Sequence, residues 1–172
     1  MDTSNIKMLF ERDLCTGENI FHEIARSGDW MRLYEIHHLV DGTNKYLLEE
    51  PNYEGENCLH LAASTKRGSQ AILLMELLVR MGANLNKGNL CAGDTVLHQV
   101  VYNKDYLLAA WLCEQPTINL ETQNHAGLTP FQTAFKRGDE KMMTTLRIHG
   151  AITQGVSDSE EEEEEEEYRD PQ

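Results

Sequence analysis

The chain has 172 residues, a formal net charge of −14 and four cysteines, which suits one domain with tails and is too poor in cysteine for a disulfide-built scaffold. Cys15, Cys58, Cys91 and Cys113 stand singly, with no Cys-x-x-Cys pair, which points to a reducing compartment. No apolar run could cross a bilayer, no basic start leads an apolar signal region, and the acid excess disfavours a phosphate-backbone ligand. A soluble intracellular protein with no membrane and no direct nucleic-acid partner is expected.

In chain order, Ile6, Leu9 and Phe10 lie at i, i+3 and i+4, which predicts a short helix, and residues 1–14 read as a capping segment. A phrase then opens at Gly17-Glu18-Asn19-Ile20-Phe21-His22-Glu23-Ile24-Ala25. It returns as Gly55-Glu56-Asn57-Cys58-Leu59-His60-Leu61-Ala62-Ala63 and as Gly93-Asp94-Thr95-Val96-Leu97-His98-Gln99-Val100-Val101. His22, His60 and His98 are 38 residues apart each time, and a fourth copy from Gly127 to Phe135 has Gln132 at the histidine position. Equal spacing of this kind marks a repeat protein. Each phrase is followed by a small polar turn (Ser27-Gly28-Asp29, Lys66-Arg67-Gly68-Ser69, Asn103-Lys104-Asp105, Lys136-Arg137-Gly138-Asp139) and a second helical pattern, giving one helix-turn-helix per repeat.

The second helix of the second unit runs from Ala71 to Met81 and is expected to stop at Gly82, as the fourth does at Gly150, because glycine readily takes the left-handed conformation beyond a helix end. Pro130 suits the first turn of a helix, where no amide hydrogen is required. No such unit can bury its apolar face alone, so stacking must supply the core.

The phrase resembles the Gly-x-Thr-Pro-Leu-His-x-Ala-Ala signature of the ankyrin repeat, whose usual period is about 33 residues. The glycine spacings of 38, 38 and 34 place insertions in the first two units. The fold expected is therefore all-α: an ankyrin-repeat solenoid of about four helix-turn-helix units with β-hairpin loops, over residues 15–151. The resemblance makes His22, His60, His98 and Pro130 parts of the structural motif, each histidine bonding loop backbone. Zinc or acid/base chemistry at the histidines is the competing reading. His37-His38 does not help it, because adjacent helical residues do not share a face. There is no phosphate-binding glycine loop, Gly-x-Ser-x-Gly elbow or His-Glu-x-x-His pair, so binding without a cofactor, metal or catalytic residue is expected. Cys58 and Cys113 read as packing residues.

Charge is uneven. Ser157 to Gln172 holds ten acids (Asp158, Glu160 to Glu167 and Asp170) against Arg169, leaving only −5 of the net −14 on the rest. Residues 152–172 are expected to form a disordered acidic tail, either solubilising or in contact with a basic partner. Ser157 and Ser159 precede acids and suit an acid-directed kinase.

More specific wording lies in Asn52-Tyr53-Glu54-Gly55-Glu56-Asn57-Cys58-Leu59-His60-Leu61-Ala62, then Cys91-Ala92-Gly93-Asp94-Thr95-Val96-Leu97-His98, then Gly127-Leu128-Thr129-Pro130-Phe131-Gln132. This order resembles the middle repeats of the IκB family, including the insect member Cactus, over about residues 15–151. The Pro-Phe-Gln ending separates it from generic repeats. The resemblance implies binding of an NF-κB/Rel transcription-factor dimer by its Rel homology domain, with the inhibitor monomeric when free. The matching positions are Asn52, Tyr53 and Glu54 in the second unit, Asn89, Leu90 and Asp94 in the third, and Gln123, Asn124 and His125 in the fourth.

Two departures matter. Cellular IκB proteins have about six repeats, and they carry paired serines in an Asp-Ser-Gly context that mark them for destruction. Only four repeats and no Asp-Ser-Gly occur here. A short IκB without that switch resembles the viral ankyrin proteins of the polydnaviruses, the bracoviruses and ichnoviruses. This implies a constitutive inhibitor of a host Rel pathway that suppresses innate immunity in the host cytoplasm, with the nucleus as a second location. The acidic run would then compete with phosphate for basic residues of Rel. The alternative on the same fold is an ankyrin adaptor, for example in a ubiquitin-ligase complex.

Overall fold

The computed structural model describes residues 9–153. From Ile20 onward the described residues hold eight α-helices in four antiparallel pairs: α1 (Ile20–Ser27) with α2 (Trp30–Ile36), α3 (Cys58–Thr65) with α4 (Gly68–Arg80), α5 (Val96–Asn103) with α6 (Tyr106–Cys113), and α7 (Pro130–Lys136) with α8 (Glu140–Ile148). The odd-numbered helices stack on one another as an inner layer and the even-numbered ones as an outer layer. Contacts therefore run between neighbouring units, the pattern of a solenoid.

The repeated phrase encodes both a helix start and a core position. Asn19 and Asn57 cap α1 and α3 by accepting the Phe21 and His22 amides and the Leu59 and His60 amides, respectively. Thr129 accepts the Gln132 amide at 3.2 Å while its own amide donates to Gln132 Oε1 at 3.0 Å. Each arrangement satisfies orphan donors at a helix N-terminus. The residue before the histidine or glutamine points inward every time: Phe21, Leu59, Leu97 and Phe131 are all buried. Outer helices α2, α6 and α8 start at Asp29, Asp105 and Asp139, whose carboxylates accept the amides of Arg32, Leu108 and Met142.

Helix α4 has no cap of its own. The Gly68 amide donates instead to Asp105 Oδ2 of the next repeat at 2.7 Å.

The two insertions take different forms. In the first unit, extra chain forms the 3-10 turns His37–Leu39 and Lys45–Leu48, which bury Leu47 and Leu48. In the second, α4 is lengthened to 13 residues, against 8 in α6. Helix α4 ends at Arg80 and α8 at Ile148, and Gly82 and Gly150 follow with φ of 101° and 94°.

The expected β-hairpins are turns. Among the described residues no strand forms. Each finger is closed at its base by a backbone bond, Asp13 N–H to Glu18 O, Asn52 to Glu56, Asn89 to Asp94 and Asn124 to Leu128, at 2.7–3.0 Å. The inner helix begins two residues past each of these acceptors, so the pairing cannot extend outward into a ladder. Of the N-terminal segment, Leu9 and Phe10 pack partly buried on the core, with the Phe10 ring centroid 6.0 Å from that of Phe21. Residues 1–8, and with them most of the capping segment, lie outside the described residues, as do residues 154–172 with the acidic run.

Candidate functional site: the finger ridge

An Asp or Asn opens each finger and turns it. Asp13 Oδ1 accepts the Cys15 and Thr16 amides, Asn52 Oδ1 those of Glu54 and Glu56, Asn89 Oδ1 that of Ala92, and Asn124 Oδ1 those of Ala126 and Leu128. Asx side chains favour such local turns. Each turn closes on a glycine, Gly17, Gly55, Gly93 or Gly127, with φ between 69° and 82°.

The residue after the Asx is lifted to the tip. Leu14, Tyr53, Leu90 and His125 are all exposed and occupy the same place in successive fingers. Backbone bonds lock the row, since the amides of Tyr53, Leu90 and His125 donate to Thr16 O, Gly55 O and Ala92 O of the preceding finger at 2.8–2.9 Å. Each of these side chains lies over the glycine behind it. A Cβ at Gly17 would meet the Tyr53 ring at 2.6 Å, one at Gly55 the Leu90 Cβ at 3.0 Å, and one at Gly93 the His125 ring at 2.5 Å. A positive φ and a close approach together explain glycine at those positions. The result is a ridge of aromatic and apolar tips crossing all four repeats.

Of the sequence-derived positions, Tyr53, Glu54, Leu90, Gln123 and His125 are exposed on this ridge and Asn89 is half-buried. Asn52, Asp94 and Asn124 are buried, with Asn124 Nδ2 donating to Asp94 Oδ1 at 2.7 Å, so their side chains build the fingers. Between the third and fourth fingers Lys87, Asn89, Leu90, Gln123 and His125 line an open cleft of about 320 Å³. Leu14, 88% exposed, extends the row into the first repeat and is absent from the sequence-derived set. The signal for it is the recurring Asx three or four residues before each phrase glycine.

Beneath the ridge, each histidine ties two repeats. His22 Nε2 donates to Glu56 O at 3.0 Å, His60 Nε2 to Asp94 O at 2.8 Å, and His98 Nε2 to Leu128 O at 2.9 Å. A carbonyl acceptor fixes the proton on Nε2. At His98 the Thr95 amide and hydroxyl meet the other nitrogen, Nδ1, at 3.2 and 2.9 Å. Burial holds all three imidazoles below the usual histidine range. Gln132 keeps the cap but has no long reach, and no fifth finger follows it among the described residues. Burial also pushes the Cys58 thiol far up and the Cys113 thiol up to about 11, so neither is a poised nucleophile. Among the described residues no three His, Cys, Asp or Glu side chains gather as a metal site, and no helix is long and apolar enough to cross a membrane.

The ankyrin-repeat family model matches residues 54–90. I-kappa-B like protein N3 of Microplitis demolitor bracovirus (isolate Webb) is 42% identical over 153 residues, covering 86% of this chain and 94% of the relative. The chain belongs to the bracovirus I-kappa-B like proteins. I-kappa-B like protein N2 of the same virus is also 42% identical, over 93% of this chain and 95% of its own length. The ankyrin repeat domain of Bcl-3, described as a unique member of the IκB protein family, superposes with a TM-score of 0.71 at 23% identity. That match covers 79% of this I-kappa-B like chain and 57% of the Bcl-3 chain, and it shows the shared ankyrin fold.

Proposed function

We propose that this chain inhibits host NF-κB/Rel transcription factors by binding a Rel homology domain along the finger ridge and the adjoining inner-helix starts. The observation that carries the reading is the ordered row of exposed tips, Tyr53, Leu90 and His125 with Leu14, on a member of the I-kappa-B like proteins. Rigid aromatic and apolar anchors supply most of the affinity of protein interfaces. Here they are fixed by finger-to-finger backbone bonds before a partner arrives, which limits the ordering cost of binding. Glu54 and Gln123 frame the anchors with polar groups that set orientation.

The 172 residues contain no Asp-Ser-Gly. We take the complex to be insensitive to the kinase signal that releases cellular IκB, and its setting to be the host cell cytoplasm. The test is direct binding of the full chain to an insect Rel homology domain. Tyr53→Ala and Leu90→Ala should each weaken binding by about tenfold or more. Unchanged affinity in both variants would remove the ridge from the interface.

A further inference from the structure

The end of the solenoid opposite the fingers carries a charge pattern that the ridge does not use. There the turns between inner and outer helices stand in a row. Gly68 N–H to Asp105 links the second turn to the third, and the Tyr106 hydroxyl, 3.2 Å from Asp139 Oδ2, links the third to the fourth. In a chain of net charge −14, these three turns and the start of α8 display Lys66, Arg67, Lys104, Lys136, Arg137 and Lys141.

None of the six has a carboxylate at salt-bridge distance among the described residues, although Arg12, Arg26, Arg32 and Arg80 all do. Of the three acids set among them, Asp105 and Asp139 are buried and turned inward as helix caps, and Glu140, at the start of α8, is exposed, so the six cations outnumber the exposed acid. Arg137 lies over the Tyr102 ring and Lys141 over the Tyr106 ring, at 5.3 and 4.2 Å from the centroids, so part of the row is held in place by aromatic faces.

We propose that this basic edge is the docking surface for the chain's own glutamate run, Glu160 to Glu167. Charge complementarity is one ground and reach is the other. Helix α8 starts at the edge and returns to the finger side, where the Ile152 amide donates to Glu121 Oε1 at 2.8 Å. The nine residues of α8 separate that point from the edge by about 13 Å. The seven residues from Thr153 to Ser159 can span about 23 Å, so the run reaches the fourth turn with slack. Three stacked turns about 10 Å apart extend over about 20 Å, which eight extended glutamates of about 26 Å can cover. Docking there leaves the finger ridge open, in contrast to a tail that reaches across to a basic partner.

The experiment uses the full chain alone, so its outcome is independent of Rel binding. Backbone amide NMR spectra of the natural chain are compared with those of a full-length variant in which Glu160 to Glu167 are all Gln. At about 20 mM salt the amides of Gly68, Lys104 and Gly138 should differ between the two chains, and the differences should collapse by about 0.5 M salt, where screening acts within a few ångströms. Coincident spectra at those amides in low salt would overturn the proposal. So would differences confined to Tyr53, Leu90 and His125, which would place the run on the ridge.

Discussion

Single residues in this chain join one repeat to the next. His60 is buried and bonds the Asp94 carbonyl of the following finger. His60→Ala should therefore destabilise the chain by about 1 to 3 kcal/mol in chemical denaturation, because a buried carbonyl loses its donor. His60→Gln should cost less, since Gln132 shows that glutamine can serve the cap. The histidines also set a pH dependence. Their folded pKa values are depressed by burial below the ordinary 6.5, so the unfolded chain takes up protons first as pH falls. Stability should be full above about 6.5 and decline below it until the folded-state values are passed, as denaturation midpoints between pH 7.5 and 5 would show. Lys104 presents the opposite opportunity. It holds φ of 56° where the first and fourth turns use Gly28 and Gly138, and Lys104→Gly should raise stability by about 0.5 to 1 kcal/mol in the same assay.

At the scale of elements, caps shared between repeats matter more than helix propensity, because most of these helices have only seven to nine residues. Asp105 starts its own helix α6 through the Leu108 amide and also caps α4 through Gly68. Asp105→Ala should cost about 2 kcal/mol, roughly twice the loss for Asp29→Ala, whose carboxylate caps only Arg32. Equal losses in urea titrations of the two variants would refute the double cap.

The inner and outer helices were legible in the sequence because three phrases carry a histidine, and the fourth Gln132, at one fixed offset, and a small polar turn with a second helical pattern follows each phrase. What the second insertion becomes was not legible, since neither periodicity nor spacing distinguishes a longer helix from a longer loop. The cross-repeat cap was invisible for a similar reason: Arg67 breaks the Asp pattern, and the substitute, Asp105, lies 37 residues beyond the Gly68 amide it accepts. The sequence-derived positions fall on the finger segments, but the division of labour within each finger was not legible. Asn52 and Asn124 look like surface loop residues, yet their side chains fold back onto local amides. Leu14 escaped because its finger opens with Asp13 in place of Asn and lies ahead of residue 15, where the resemblance begins.

The whole molecule presents two unlike edges and joins them through one stacked core. Fingers carry an aromatic and apolar ridge, and the opposite turns carry cations with no carboxylate at salt-bridge distance among the described residues. A solenoid whose units contact only their neighbours transmits local damage along the stack, so core changes should impair the ridge only by loosening it, whereas tip changes should impair binding with the fold intact. Membership in the bracovirus I-kappa-B like proteins makes a Rel homology domain the partner to test against that ridge. The most direct measurement is a DNA-shift competition in which the full chain is added to an insect Rel dimer bound to its DNA site, before and after activation of the upstream kinase. Loss of the shifted band is expected in both conditions, with Leu90→Ala requiring about tenfold more protein for the same loss. A shifted band that persists with the natural chain in excess, or that returns once the kinase is active, would contradict the proposed inhibition.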